Sequence, residues 1–457
     1  MKNELFSFSI LPSVVPADRT SKITIKGKGD YYRFFDDVEY TVTVCPREDP
    51  DCPTDDALCL RQYHRKPLSV YPKNGVIEFE YFFSNEQEWD IIVSASEKQR
   101  EHLSKLRVAY KDFWDLTEME RGKVFNIYSL KDDLYKKHVY KGDMHVHSSA
   151  SDGLEPAEIV CASYRREGYD YLAITDHHIY QSSVDAKKRF EEFKSGLTVF
   201  CGEEVHNDIA GLIHVVNFGG SKSVNDVILS DKENIKKQVL EESKKLNAGD
   251  GQKAEMLAWY KWVTEEIRKC GGISIFAHPF WYVLNCYNCP TDTAENVLKR
   301  GYFDAFEVLG GIEPYQNNMQ AAFYNQMRAE GCRIPIVGST DCHSVHEKGV
   351  EFFTSAATLC FAESPEQIPQ AVKDLYSVAV ECIPGQRENV IGSFRLVKYA
   401  WFLLRNYFPL RADMCAASGA AMLAYFNDNA VQLKDSIEAI ETQIKCFDDH
   451  FFGRSVQ

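Results

Sequence analysis

Thirteen histidines occur in this 457-residue chain, and nine of them fall between residues 145 and 346. Their placement matters more than their number. His145-Val146-His147 closes an apolar run that reads as a strand. Residues i and i+2 of a strand point the same way, so both imidazoles can reach one ion. Ser148–Gly153 (SSASDG) then turns the chain and presents Asp152. Asp176-His177-His178 ends the run YLAIT, and Gly202-Glu203-Glu204 ends a third run, with either glutamate open to the same role. His214 lies on a fourth, His278 closes GISIFA, and Asp341-x-His343 follows PIVG. Imidazoles and carboxylates are the donors that borderline metals such as zinc take, and a carboxylate can bridge two ions. About nine ligands from such a set exceed what one ion can use, so two or three ions are expected. Such a site lowers the pKa of a bound water and clamps the oxygens of a tetrahedral or in-line transition state. The chemistry implied is metal-assisted hydrolysis through metal-bound hydroxide. His206 and His346 read as packing residues.

The elements around these residues explain how they could meet. From about residue 140, strand-like runs alternate with helical ones, six or seven times. Repeated β-then-α units imply parallel strands with helices outside, and this many units suit a barrel, whose strand ends converge on one face. Residues 1–139 read as an antiparallel β-sandwich, from KITIK (22–26), EYTVTV (39–44), VIEFEYFF (76–83) after the Asn74-Gly75 turn, and WDIIVS (89–94). VFNIYSL (124–130) reads as its last strand, and the following KDDLYKKHVYKGD as a connector. Residues 386–457 read as a helical extension. There Leu396, Tyr399, Phe402 and Leu403 share a face expected to pack on the barrel, and Arg395, Lys398 and Arg405 form a basic edge. The fold class is therefore α/β, with domains at 1–139, 140–385 and 386–457.

The ordered motifs Gly142-Asp143-Met144-His145-Val146-His147-Ser148, Ser151-Asp152-Gly153, Ile174-Thr175-Asp176-His177, Gly202-Glu203-Glu204, Ala277-His278-Pro279 and Gly338-Ser339-Thr340-Asp341-Cys342-His343 resemble those of the PHP (polymerase and histidinol phosphatase) superfamily. The resemblance covers roughly residues 140–385. The placement after an N-terminal β domain looks most like the carbaryl-hydrolase-like branch. The resemblance implies a distorted (β/α)7 barrel with a di- or trinuclear site of manganese, zinc or iron. It assigns His145, His147, Glu204 and Asp341 to a first ion, with Glu204 bridging. Glu204, His278 and His214 go to a second, and Asp152, His177 and His343 to a third. The family's spacing favours Glu204 over Glu203. Asp176 resembles a residue that orients an imidazole, Glu307 matches a structural position, and His178 stands where a substrate contact is expected. Residues 219–270 exceed a minimal family domain and are expected over the cleft. Thr340 and Cys342 depart from the common Gly-Ser-Asp-x-His form, while Asp341 and His343 keep their places.

Composition narrows the function. Net charge is −15, which disfavours nucleic acid as a partner. No run reaches the ~18 apolar residues of a membrane span. The start lacks the pattern of a secretory signal. With fourteen Cys, well short of disulfide density, the thiols are expected reduced and the protein cytoplasmic. Cys45, Cys52 and Cys59 recur every seven residues but fit no zinc pattern, and Cys286-x-x-Cys289 stands without a second pair. The leading reading is a phosphoesterase acting on a small-molecule phosphate ester, with Arg387 as a possible phosphate clamp and His178 as a proton donor. A carboxyl-ester or carbamate hydrolase is the alternative, and Phe280, Trp281 and Tyr282 after His278 would supply its neutral pocket. A nuclease and a non-enzymatic binding protein rank lower.

Overall fold

The structure, a computed structural model, describes residues 8–28, 33–48, 65–95, 122–206, 213–246, 248, 251–346, 353–383 and 385–454. The chain divides into two compact units: 1–136 with 402–411 and 443–457, and 137–401 with 412–442.

The first unit holds β1 (Phe8–Leu11), β2 (Val14–Pro16), β3 (Arg19–Gly27), β4 (Tyr40–Pro46), β5 (Leu68–Val70), β6 (Val76–Phe83), β7 (Gln87–Ala95), β8 (Lys123–Leu130) and the short helix α1 (Asp132–Tyr135). They form two sheets, ordered β1-β3-β6 and β2-β8-β7-β4-β5. Alternate residues of both sheets enter one apolar cluster: Ile23 and Ile25, Ile77 and Phe79, Val42 and Val44, Ile91 and Val93. That is the period-2 burial read from the sequence. Asn74 and Gly75 both have positive φ, 53° and 76°, as a tight hairpin turn demands. The pairing is antiparallel except for β2 against β8, which is parallel. Cys45 is buried, and Cys52 and Cys59 lie outside the described residues.

The second unit begins at β9 (His138–Asp143), where the sequence suggests a connector. It continues through α2 (Ala157–Arg166), β10 (Tyr171–Ala173), α3 (Gln181–Phe190), β11 (Thr198–Phe200), β12 (Gly202–His206), β13 (His214–Phe218), α4 (Val224–Ser230), α5 (Lys232–Ser243), α6 (Gly251–Lys269), β14 (Ile273–Phe276), β15 (Tyr282–Val283), β16 (Cys286–Tyr287), α7 (Thr291–Lys299), β17 (Ala305–Leu309), α8 (Pro314–Ala329), β18 (Ile336–Gly338), β19 (Ala356–Ala362), α9 (Ile368–Lys373), β20 (Ser377–Glu381) and β21 (Asn389–Ile391). Two main sheets result, β11-β10-β9-β19-β20-β21 and β12-β13-β14-β17-β18. They curl around a shared interior: Tyr171, Ala173 and Cys360 of one sheet pack with Val216, Ile275, Ala305 and Val337 of the other.

The β/α alternation is interrupted twice. β13 runs antiparallel to β12 and β14, and β19 antiparallel to β9 and β20. β12 ends at His206 and β13 begins at His214, too few residues apart for the crossover a parallel pair requires. Residues 219–270 do not cover the cleft. Their helices place Val224, Ile228, Leu257, Tyr260 and Val263 in a second cluster with Val215 and Phe276. Val215 and Phe276 alternate with Val216 and Ile275, which face the interior, so these helices coat the outer side of the sheet.

The C-terminal helices α10 (Phe394–Asn406), α11 (Phe408–Asp428) and α12 (Lys434–Phe451) are divided between the two units rather than forming a third. On α10, Leu396, Tyr399, Phe402 and Leu403 are all buried, as their spacing suggests. Within the second unit, α2 is clamped to α12. The buried guanidinium of Arg165 donates from Nε and Nη2 to both oxygens of Glu441 at 2.9 and 2.6 Å, and from Nη1 to Asp170 at 3.1 Å. Ser418 of α11 donates to the same carboxylate. Among the described residues, no helix is long and apolar enough to cross a membrane. Removing Glu441 would leave the buried guanidinium with Asp170 as its remaining carboxylate, so Glu441→Ala is expected to cost about 3 kcal/mol, the low end for a broken buried pair. Urea denaturation followed by circular dichroism measures this.

Candidate metal centre

The site is assembled by backbone hydrogen bonds between strand ends. Past β9, His147 N–H donates to Cys342 O at 2.8 Å, and Asp341 N–H donates to His145 O at 2.9 Å. On the other side, Thr175 N–H donates to Val146 O at 2.7 Å, and Glu204 N–H donates to Thr175 O at 2.9 Å. Four segments from separate parts of the sequence are thereby held in register. The i, i+2 rule then turns His145 with His147, and Asp341 with His343, into one space.

Four donor atoms meet at its centre. His145 Nε2 lies 3.1 Å from Glu204 Oε2, 3.2 Å from Asp341 Oδ1 and 3.2 Å from His147 Nε2. His147 Nε2 lies 3.3 Å from Glu204 Oε2 and 3.0 Å from Asp341 Oδ1. A tetrahedron of donors about 2.0–2.1 Å from a zinc-like ion has edges of about 3.3 Å. The four side chains thus match the spacing of a coordination shell. Glu204 Oε1 faces His214 Nδ1 at 2.5 Å and His278 Nε2 at 3.6 Å, and Asp341 Oδ2 is 3.7 Å from His278 Nε2. Asp152 lies 3.3 Å from His343 Nε2, 3.7 Å from His177 Nε2 and 3.4 Å from His147 Nδ1.

Grouped by mutual distances within 4.8 Å, the donors fall into His145, Glu204, His278 and Asp341; His147, Asp152, His177 and His343; and His177, Glu204 and His214. All nine side chains named from the sequence therefore lie in one cluster. The grouping differs from the one the resemblance implies chiefly at His147. Its Nε2 faces Asp341 and Glu204 while its Nδ1 faces Asp152.

Surrounding groups orient the imidazoles. His145 Nδ1 is 3.0 Å from Glu307 Oε2, and His343 Nδ1 is 2.7 Å from the carbonyl of Asp341. A proton held on each Nδ1 leaves a bare Nε2 lone pair aimed at the cluster. Glu307 also accepts from His278 N–H at 3.3 Å, so one carboxylate sets two ligand positions. The backbone is unusual here as well: His278 and Asp341 have φ of 22° and 49°, a region that side chains with a Cβ seldom occupy. Gly311 is required by close approach, because a Cβ there would sit 1.7 Å from Thr340 O.

Three buried imidazole nitrogens, His177 Nδ1, His214 Nε2 and His278 Nδ1, have no hydrogen-bond partner among the described residues. Burial opposes charge on His147, but hydrogen bonds to Asp341 and Glu204 outweigh it and lift its pKa to about 9. Burial likewise opposes charge on His145, where Asp341, Glu204 and Glu307 raise the pKa well above the ordinary value. Against the same burial, the neighbouring imidazoles hold Glu204 and Asp341 below the usual carboxylate range. At His177 burial wins and pushes the pKa down to about 4. The donor set, its spacing and its orienting partners all fit divalent cations.

Several roles differ from expectation. Asp176 touches no imidazole directly. Its carboxylate accepts from Ser148 N–H, Ser148 Oγ, Ser151 Oγ and Ser182 Oγ at 2.5–2.7 Å, and so braces the loop that carries Asp152. Only Ser151, with Oγ 3.5 Å from His147 Nδ1, links it to a ring. Glu203 points away from the cluster and accepts from Ser223 Oγ, Val224 N–H and Asn225 Nδ2 at the start of α4. Arg387 is exposed in the turn between β20 and β21, and no described contact joins it to the cluster. His178 is exposed, has φ of 58°, and stacks on His206 with ring centroids 5.2 Å apart. His206, read as packing, stacks in turn on His214 at 4.7 Å. The i, i+2 rule could have found it, since it follows Glu204 by two on one strand. Asp143 was also unassigned. It is buried and accepts from Thr340, Tyr164 and His145 N–H, fixing the stretch before the first histidine. His346 is exposed. Cys286 is exposed and Cys289 buried, and neither belongs to a metal-capable group among the described residues.

No protein-family model and no curated protein matches the chain. Among solved structures, it is similar to a two-domain protein from Bacteroides vulgatus containing a predicted PHP-like metal-dependent phosphoesterase. That match has 20% identity and a TM-score of 0.37, covering 54% of this chain and 66% of the other. It is also similar to an amidohydrolase from Chromobacterium violaceum with bound sulfate and no metal. There the identity is 15% and the TM-score 0.31, over 45% of this chain and 88% of the other.

Two outcomes are expected. Glu307→Ala should weaken metal binding about 10–100-fold, the scale for losing an orienting partner, as read by competition with a chromogenic chelator. An ion bound by Nε2 of His147 must displace a proton held with a pKa of about 9. Apparent affinity should therefore climb as pH rises toward that value and flatten above it. Calorimetry in buffers of different ionisation enthalpy reads the proton release.

Proposed function

We propose that the protein is a metal-dependent hydrolase of the PHP superfamily, in its carbaryl-hydrolase-like branch, and that it cleaves a small-molecule phosphate ester. The observation that carries this reading is the set of five distances of 3.0–3.3 Å among His145, His147, Glu204 and Asp341. These residues would hold a first divalent ion. Glu204 would bridge to a second, held with His278 and His214, and Asp152, His177 and His343 would hold a third. The second unit is read as a distorted (β/α)7 barrel and the first as a β-sandwich. Bound ions would supply Lewis acidity and a nucleophile at neutral pH.

The chain's own residues do the rest. Glu307 and the carbonyl of Asp341 keep two imidazoles in the metal-binding tautomer. Asp176 and its serines hold Asp152 at the mouth. His178, on the rim, is the candidate to donate a proton to the departing alcohol.

The test is hydrolysis of p-nitrophenyl phosphate and its bis-ester by purified protein with added manganese, with p-nitrophenyl acetate alongside. Release is expected from a phosphate ester, and is expected to fall more than ~100-fold in His343→Ala and in Glu204→Gln, with metal content falling in parallel. Release from the acetate alone would replace this reading with a carboxyl-ester hydrolase.

A further inference from the structure

The helices of 219–270 leave the cleft open, yet they reach the metal centre from behind. Glu204 faces the donors, and its two neighbours on β12 face the opposite way, toward α4. Val205 packs in the cluster that also holds Val224 and Ile228 of that helix. Glu203 is fully buried. Its Oε1 accepts from Asn217 Nδ2 at 3.1 Å and Val224 N–H at 2.5 Å. Its Oε2 accepts from Ser223 Oγ at 2.7 Å and Asn225 Nδ2 at 3.0 Å. A buried carboxylate is costly unless donors satisfy it, and these four do so.

Asn225 carries the connection one residue further. The same Nδ2 donates to the backbone oxygen of Glu204 at 3.1 Å. The Glu203 carboxylate and the Glu204 carbonyl both accept and do not donate, so the amide has only one orientation that serves them. Glu204 N–H is held separately, by Thr175 O at 2.9 Å. Both backbone polar atoms of the glutamate at the centre are therefore fixed, one by a strand end and one by a side chain. Asn225 is buried, which keeps water from taking its place. Capping α4 does not require this bond. Ser223 Oγ already accepts from Asp226 N–H at 2.9 Å, and Glu203 accepts from Val224 N–H. The bond to Glu204 O serves the strand and not the helix.

We infer that Asn225 is a positioning residue of the metal centre. Anchored on Glu203, it sets where Glu204 presents its two oxygens to the five surrounding imidazoles. A carboxylate that bridges two ions must meet both at once, so a small shift of its backbone disturbs both. The inference rests on the metal-binding part of the proposed function and is independent of the ester cleaved. It also gives the chain between β13 and β14 a part in the site.

Cobalt(II) is the probe, because its visible absorption reports the geometry of its ligands. Asn225→Ala is expected to bind cobalt about tenfold more weakly, the lower end for losing an orienting partner, and with a shifted spectrum. Asn225→Asp keeps the size, loses the donor and should do the same, which covers the case where the alanine variant fails to fold. Ile228→Ala is the control: it opens a gap under α4 but touches neither glutamate. It should melt at a lower temperature and keep the wild-type affinity and spectrum. Wild-type affinity and spectrum in a folded Asn225 variant would overturn the inference. So would an equal loss in Ile228→Ala, because α4 would then act only as scaffold. If the wild type itself binds no cobalt, the metal-binding reading has failed and the inference falls with it.

Discussion

Five imidazoles converge on the single carboxylate of Glu204. His145, His147 and His177 approach Oε2 at 3.1, 3.3 and 3.2 Å, and His214 and His278 approach Oε1 at 2.5 and 3.6 Å. Without that charge between them, the rings would present lone pairs or like charges to one another in a space with little water. The rest of the second unit serves this convergence. Strand ends are stitched so that Glu204 lies beside Thr175, Thr175 beside Val146, and Cys342 beside His147. The interior cluster of both sheets sits beneath, and the left-handed backbone at His278 and Asp341 is held in place around it. Glu203 leaves the centre by one residue's alternation and caps α4 instead, so the neighbouring glutamate takes no share of the charge.

Charge balance constrains how such a centre could meet an anion. The chain carries a formal net charge of −15, and three of its carboxylates, Asp152, Glu204 and Asp341, lie within the cluster itself. Three carboxylates outweigh one divalent ion, and two ions reverse the sign only slightly. Glu307, bonded to His145, returns that sum to zero. A phosphate ester would therefore gain most from a centre holding three ions, and a neutral ester would need fewer.

Much of the centre was legible because it rests on short-range rules. Strand alternation pairs His145 with His147, and strand ends in a β/α chain converge, so a shared cluster could be expected from spacing and type, and the family resemblance then narrowed it to nine donors. What depends on long-range packing was not legible. The choice between Glu203 and Glu204 turns on which face of β12 meets α4. Asp176 sits among three serines, one from α3, that no local pattern links to it. The antiparallel course of β13 follows from its short sequence separation from β12, which breaks the parallel pattern that the flanking units suggest. The helices of 219–270 are apolar on the side that seeks a sheet, and the sheet offered its outer face rather than the cleft.

The clamp between Arg165 and Glu441 joins residues 276 apart, and in the first unit Ser13 N–H bonds to Phe451 O across nearly the whole chain. On the ribosome, each unit therefore lacks a part of itself until the helices after residue 393 have been made. The β strands of the first unit emerge long before the segment 443–457 that belongs with them. Such non-local closure slows folding and leaves apolar surface waiting in a nascent chain. The protein's exposure to aggregation is then set by translation rate and chaperone supply as much as by the stability of the finished fold.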